Sequence, residues 1–126
     1  MQTVSTDKAP AAIGPYSQAK ISEAGARFVF ASGQIPIVPE TGEIVSGGIE
    51  EQSEQSMKNV GEILKAAGAE FENVIKTTCF LADMDDFAAF NAVYEKYFTG
   101  KPARSCVAVK KLPKDVLCEV EAIACI

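Results

Sequence analysis

Residues 116–126 place a small or apolar side chain at every even position (Val116, Cys118, Val120, Ala122, Ala124, Ile126), while Leu117, Glu119, Glu121 and Ile123 take the odd ones. Side chains alternate across a strand, so the segment reads as a β-strand with one wholly apolar face and a second face broken by two carboxylates. Such a strand has to be covered on one side by the rest of the chain. Its glutamates then need either a cation or a chemical task.

The candidate cation lies upstream, in Lys101-Pro102-Ala103-Arg104-Ser105-Cys106-Val107-Ala108-Val109. Pro102 ends any helix and pushes the preceding residue toward extended conformations, so the chain passes from Phe98 through a short loop into a strand. Arg104, Cys106 and Ala108 share one face of it by the two-residue period. The linking stretch Lys110-Lys111-Leu112-Pro113-Lys114-Asp115 has the proline and polar content of a turn, which predicts antiparallel pairing with strand 116–126 and brings Arg104 near one of the glutamates. A guanidinium keeps its proton and presents a planar fork of donors, so a half-buried arginine requires an anion. An internal Arg–Glu ion pair and a ligand carboxylate meet that need equally well on the residues alone.

Elsewhere the periods alternate. Residues 16–22 and 27–32 read as strands joined by the turn Glu23-Ala24-Gly25-Ala26, an opening hairpin. A Pro- and Gly-rich stretch follows. Ile49, Ser53, Ser56, Met57, Val60, Ile63, Leu64 and Ala67 then recur at helical spacing, with Gly68 as the stop. Val74–Leu81 is strand-like, and Asp83, Asp85 or Asp86 can cap a second helix carrying Phe87, Phe90, Tyr94, Tyr97 and Phe98. The order ββαβαββ is an α+β chain whose economical layering is one mixed sheet with two helices on one face. The sheet's other face is left with apolar residues, expected to include some of Leu117, Ile123 and Ala108 beside Arg104 and Glu119, and other copies of the chain are expected to cover it.

With 126 residues, 48% of them hydrophobic, the chain can bury a core as a single domain over residues 1–126. The net charge of −5 comes from scattered acids, without a basic block or an aromatic-basic platform, so nucleic-acid binding is disfavoured. The four cysteines, 79, 106, 118 and 125, form no C-x-x-C pair and the chain has no histidine, so the usual zinc sets cannot be assembled and neither a metal nor a cofactor is expected. Cys106 alone, sharing a face with Arg104, invites a functional role. Residues 1–8 lack the basic start and apolar run of a signal peptide, and no long apolar run occurs, which predicts a soluble cytoplasmic protein without membrane partners.

Pro102-Ala103-Arg104-Ser105-Cys106, then Leu112-Pro113-Lys114-Asp115-Val116 and Glu119-Val120-Glu121-Ala122-Ile123-Ala124, resemble the C-terminal signature of the reactive intermediate deaminase family, the RidA/YjgF type. Ala9–Ala19, Ala31-Ser32-Gly33-Gln34-Ile35-Pro36, Gln55–Val60, Val74–Thr78 and Phe87–Tyr94 resemble further blocks of that family in order along nearly the whole chain. The loop Thr99-Gly100-Lys101 is shorter than in several relatives. The resemblance implies a chorismate-mutase-like fold assembled as a homotrimer with ligand clefts between subunits. It also implies cofactor-independent hydrolysis of enamine and imine intermediates, such as 2-aminoacrylate and 2-iminobutanoate, to 2-keto acids and ammonia. On this reading Arg104 holds the substrate carboxylate, Glu119 activates water, and Tyr16, Gly33, Asn91 and Cys106 line the pocket. Read without it, Asn91 is a helix-edge amide facing water and Tyr16 a core aromatic with its hydroxyl at the surface. A cleft that binds a small carboxylate as a sensor, without turnover, is the alternative function.

Overall fold

The computed structural model describes residues 1–126. Its centre is the C-terminal strand, numbered β8 in chain order (Cys118–Cys125), hydrogen-bonded on one side to β3 (Phe28–Gln34) and on the other to β6 (Val74–Leu81), both antiparallel. β7 (Ala103–Ala108) lies outside β6 and runs parallel to it, giving a mixed four-stranded sheet of order β3-β8-β6-β7. Two small antiparallel ribbons complete the strands: β1 (Gln2–Val4) with β2 (Ala19–Ile21), and β4 (Ile37–Val38) with β5 (Glu43–Ile44).

Both helices, α1 (Ile49–Ala66) and α2 (Phe87–Tyr97), cover the same face of the sheet, as the α+β reading requires. Cys118, Val120, Ala122 and Ala124 of β8 meet Met57, Val60 and Leu64 of α1 and Phe90, Val93 and Tyr94 of α2 in one core. α1 starts where the backbone N–H of Gly48 donates to the Glu51 carboxylate at 2.9 Å, and ends where Ala69 N–H returns to Leu64 O at 2.8 Å. Between them Gly68 sits at φ +79°, the left-handed stop that the sequence announced. Of the three candidate aspartates, Asp83 does the capping, accepting from Asp85 N–H at 2.8 Å in the turn that launches α2.

The expected pairing of the last two strands does not form: β7 and β8 are separated by β6. A parallel β6–α2–β7 unit takes the edge position, since a strand, helix and strand in succession cross over rather than fold back. Residues 109–117 then pass over the end of β6, tied by Val109 N–H to Leu81 O and by Ala82 N–H to Leu117 O. This delivers β8, the strand with the most apolar inward face, to the buried centre. The opening hairpin is likewise absent. β2 pairs with β1, and Ser17 forms an isolated parallel bridge with Ala103, while β3 pairs with β8.

The uncovered face carries Phe28, Phe30 and Val107, which are 48%, 75% and 47% exposed. Thr78, Ser105 and Glu121 stand in one cross-strand row of that face, and Phe80, Val107 and Glu119 in the next. No helix of the chain is long and apolar enough to cross a membrane.

Gly68→Ala tests the helix stop in isolation, because a Cβ there meets no atom within 4 Å. The left-handed conformation alone should lower unfolding stability by about 1–2 kcal/mol in urea titrations, with no change in fold.

Candidate active site

Arg104 faces the helices. In register it lies beside Thr77 of β6, whose other neighbour is Ala122 of β8. Cross-strand neighbours point to the same side, so Arg104 and Cys106 belong to the face under α2, and Glu119 to the open face. The expectation that Arg104 and Glu119 share a face is therefore wrong, and so is the internal ion pair. The chain's ion pairs are Met1 amino–Glu23, Lys96–Glu54 and Lys111–Asp115, and no carboxylate lies within 4.0 Å of Arg104. The misplacement follows from the misread pairing, since inserting β6 moves Arg104 one strand away from β8.

Neutral groups hold the guanidinium instead. Its Nη1 donates to Asn91 Oδ1 at 2.7 Å. The Cζ atom is 4.6 Å from the centre of the Tyr94 ring, 5.5 Å from that of Phe87 and 5.6 Å from that of Tyr16. Contacts of this kind contribute about 0.5–2 kcal/mol each and leave the positive charge without a counter-ion. Asn91, read from sequence as facing water, is thus turned inward. Phe87 and Tyr94 stand four residues before it and three after it on α2, one helical face, which is how their sequence spacing could have revealed them as neighbours of Arg104.

Each wall of this cage has its own support. The Tyr94 hydroxyl shares a buried 2.7 Å hydrogen bond with Thr77 Oγ1, and its ring stacks on Phe98 at 4.5 Å. Burial pushes the Tyr94 phenol's pKa far above its ordinary value, which keeps it a neutral hydrogen-bonding group. Tyr16 is brought in by its neighbour: Ser17 Oγ donates to Lys101 O at 2.6 Å, and Ser17 N–H to Pro102 O at 3.2 Å. Lys101 takes φ 49° just before Pro102, turning the chain from α2 into β7.

Cys106 is half-buried, two residues along from Arg104 on the same face, and is the register partner of the fully buried Cys79. The Cys79 thiol, by hydrogen bonding, and the Arg104 charge hold the Cys106 thiol below its usual pKa, against the opposing effect of burial. Burial, reinforced by Cys106, pushes Cys79 well up.

Glu119 and Gly33 form a second cluster. β3 and β8 slip register between Ala31↔Ala122 and Gln34↔Val120, so Ser32 and Gly33 bulge opposite the single residue Glu121. The Glu119 carboxylate packs over this bulge, where a Cβ on Gly33 would sit 2.1 Å from Glu119 Oε1. A larger residue there would have to push the end of the Glu119 side chain aside. One chain therefore presents Arg104, Asn91, Tyr16 and Cys106 together, and Glu119 with Gly33 apart from them. No group of three or more cysteine, aspartate or glutamate side chains is arranged to hold a metal ion.

Gly33→Ala should change stability by less than about 1 kcal/mol, because the flexible end of Glu119 can swing away. A crystal structure of the variant should show the carboxylate displaced from the bulge. A carboxylate found in its original place would contradict this packing.

The sequence matches the model of the family described as Endoribonuclease L-PSP over residues 6–126. The chain is 51% identical over 124 residues to the mouse 2-iminobutanoate/2-iminopropanoate deaminase, covering 98% of this chain and 90% of that one. Among solved structures it resembles the YjgF gene product of E. coli, 47% identical with a TM-score of 0.73 and 98% of each chain covered. E. coli TdcF, solved with bound serine, is 45% identical with a TM-score of 0.73, again over 98% of each chain.

Proposed function

The chain belongs to the Endoribonuclease L-PSP family, the RidA/YjgF reactive intermediate deaminases, and we propose that it hydrolyses 2-iminobutanoate, 2-iminopropanoate and their enamine tautomers to 2-keto acids and ammonia. The observation that carries this reading is the uncompensated Arg104, fixed by Asn91 and three aromatic rings and paired with no carboxylate of its own chain. A small 2-imino acid supplies the missing carboxylate, and a bidentate contact orients its C=N carbon. Likeness to the mouse deaminase supports the substrate class, and the serine in TdcF supports a small carboxylate as the ligand.

Water activation falls to Glu119. Since Glu119 and Arg104 lie on opposite faces of one sheet, the site is completed by a neighbouring copy, its Glu119 and Gly33 meeting Arg104, Asn91, Tyr16 and Cys106 across a subunit cleft. Exposed Phe28 and Phe30 give the copies an apolar surface to bury. The arrangement proposed is a closed trimer of the chorismate-mutase-like type, acting in the cytoplasm. An iminium is already electrophilic, so the reaction needs only orientation, a base for the attacking water and a proton for departing ammonia. Glu119 can serve both proton steps. Water adds to carbon as the carboxylate takes one of its protons, and that proton passes to nitrogen. As the C–N bond breaks and ammonia leaves, the carboxylate takes the remaining hydroxyl proton, forming the C=O of the keto acid and passing the proton on to ammonia as ammonium.

Coupling the protein to a dehydratase fed serine or threonine, and timing keto-acid release, tests the activity. Arg104→Ala should abolish acceleration and Arg104→Lys recover little, the lost contact costing on the order of 2–5 kcal/mol. Glu119→Gln should still bind 2-oxobutanoate but turn over about 10²–10⁴-fold more slowly. Undiminished turnover in folded Glu119→Gln, with carboxylate binding intact, would leave a carboxylate sensor as the better reading. An RNA-cleavage assay on the same preparation checks the activity in the family's description, which acidic, histidine-free residues suit poorly.

Sedimentation should give a trimer at micromolar concentration, and Phe30→Asp should shift it toward monomer with loss of turnover. A fully active monomer would refute the shared cleft.

A further inference from the structure

Cys79 and Cys106 stand directly opposite one another on the helix-covered face of the β6–β7 pair, one row beyond Thr77 and Arg104. Adjacent strands lie about 4.7–4.9 Å apart, inside the roughly 4.4–6.8 Å Cα separation of bridged cysteines, so the register brings the pair within disulfide reach. Both are free thiols. Their surroundings differ: Cys106 borders the Arg104 cage and is half-buried, while Cys79 is sealed behind it. The thiolate is the reactive form, and the Arg104 charge together with the Cys79 hydrogen bond favours it at Cys106. An accessible, activated thiol with a second thiol directly behind it is the pairing of an attacking and a resolving cysteine.

We propose that Cys79 and Cys106 form a peroxide-reactive dithiol site, and that its oxidation to a cross-strand disulfide weakens carboxylate binding at Arg104. The Cys106 thiolate attacks the O–O bond of a hydroperoxide, forming an S–O bond as sulfenic acid and releasing hydroxide, or alkoxide from an organic peroxide. The Cys79 sulfur then attacks the sulfenic sulfur, forming the S–S bond and expelling the oxygen as water. The two sulfurs supply the two electrons that reduce the peroxide, and a small dithiol reverses the bond by becoming a disulfide itself. Cys118 is the competing thiol, facing the same side opposite Leu81, but it is engaged by Ser53 and Ser56 hydroxyls at 3.9 and 3.7 Å, and burial raises its pKa. The link to function is geometric and rests on the carboxylate-clamp reading: a Cys79–Cys106 bond draws the Cys106 sulfur to the β6 side and fixes it there, in the wall beside Arg104.

The test treats the full-length protein with hydrogen peroxide and reads three quantities: intact mass, disulfide-linked peptides, and calorimetric affinity for 2-oxobutanoate. The expected result is loss of two hydrogens, a Cys79–Cys106 linked peptide and about tenfold weaker binding, all restored by dithiothreitol. Cys79→Ala should keep basal turnover and binding, form no link, and stop at a sulfenic acid that dimedone traps. Absence of the linked peptide, a Cys79–Cys118 link in its place, or unchanged affinity after complete linkage would each overturn the proposal. The readouts also separate it from the enzymatic reading: linkage with weakened 2-oxobutanoate binding, in a protein that never hydrolyses an imine, upholds the dithiol site and removes only the activity.

Discussion

The fold depends on β8 lying between β3 and β6. Like β6 it is hydrogen-bonded along both edges within the four-stranded sheet, and its inward face packs beneath α1. Its even residues are small or apolar, Cys118, Val120, Ala122 and Ala124, which lets the helices approach closely. Its odd residues look the other way, so Glu119 is kept out of the core by the same alternation that fills it. Putting the last strand at the centre makes the central contacts long-range, joining Phe28–Ala31 to residues 122–125. The sheet cannot be completed until nearly the whole chain is present.

Much of this was legible. The even–odd division of β8, the apolar stripe of α1, the Gly68 stop and an aspartate cap before α2 are local signals whose meaning does not depend on partners. Strand pairing was not legible in the same way. Nearness in sequence favoured joining β7 to β8, but the better guide was the strand–helix–strand order of β6, α2 and β7, which calls for a parallel crossover. The opening hairpin failed for a related reason: Ser17 satisfies its hydroxyl and amide on the Lys101 and Pro102 carbonyls, drawing the segment to the start of β7 rather than to β3.

The candidate site shows the same division. Arg104 announced itself as a cation in a place that demands explanation, but not what surrounds it. Asn91 alone has no periodic signature of burial, and its inward turn follows from Phe87 and Tyr94 on the same helical face. Gly33 gave no local sign of its task, because the crowding that a side chain would meet there comes from Glu119, far along the chain and meeting it only across the β3–β8 bulge.

The cage around Arg104 carries a consequence for anyone handling the protein. A cation surrounded by an amide oxygen and ring faces repels no anion by shape of charge, and it has no internal carboxylate that an incoming ion must displace. Phosphate, sulfate or acetate from a buffer can therefore visit the same fork of donors. Affinities measured in such buffers become apparent values that fall as the salt concentration rises, and ordered buffer anions beside Arg104 are the natural occupants of crystals grown from them.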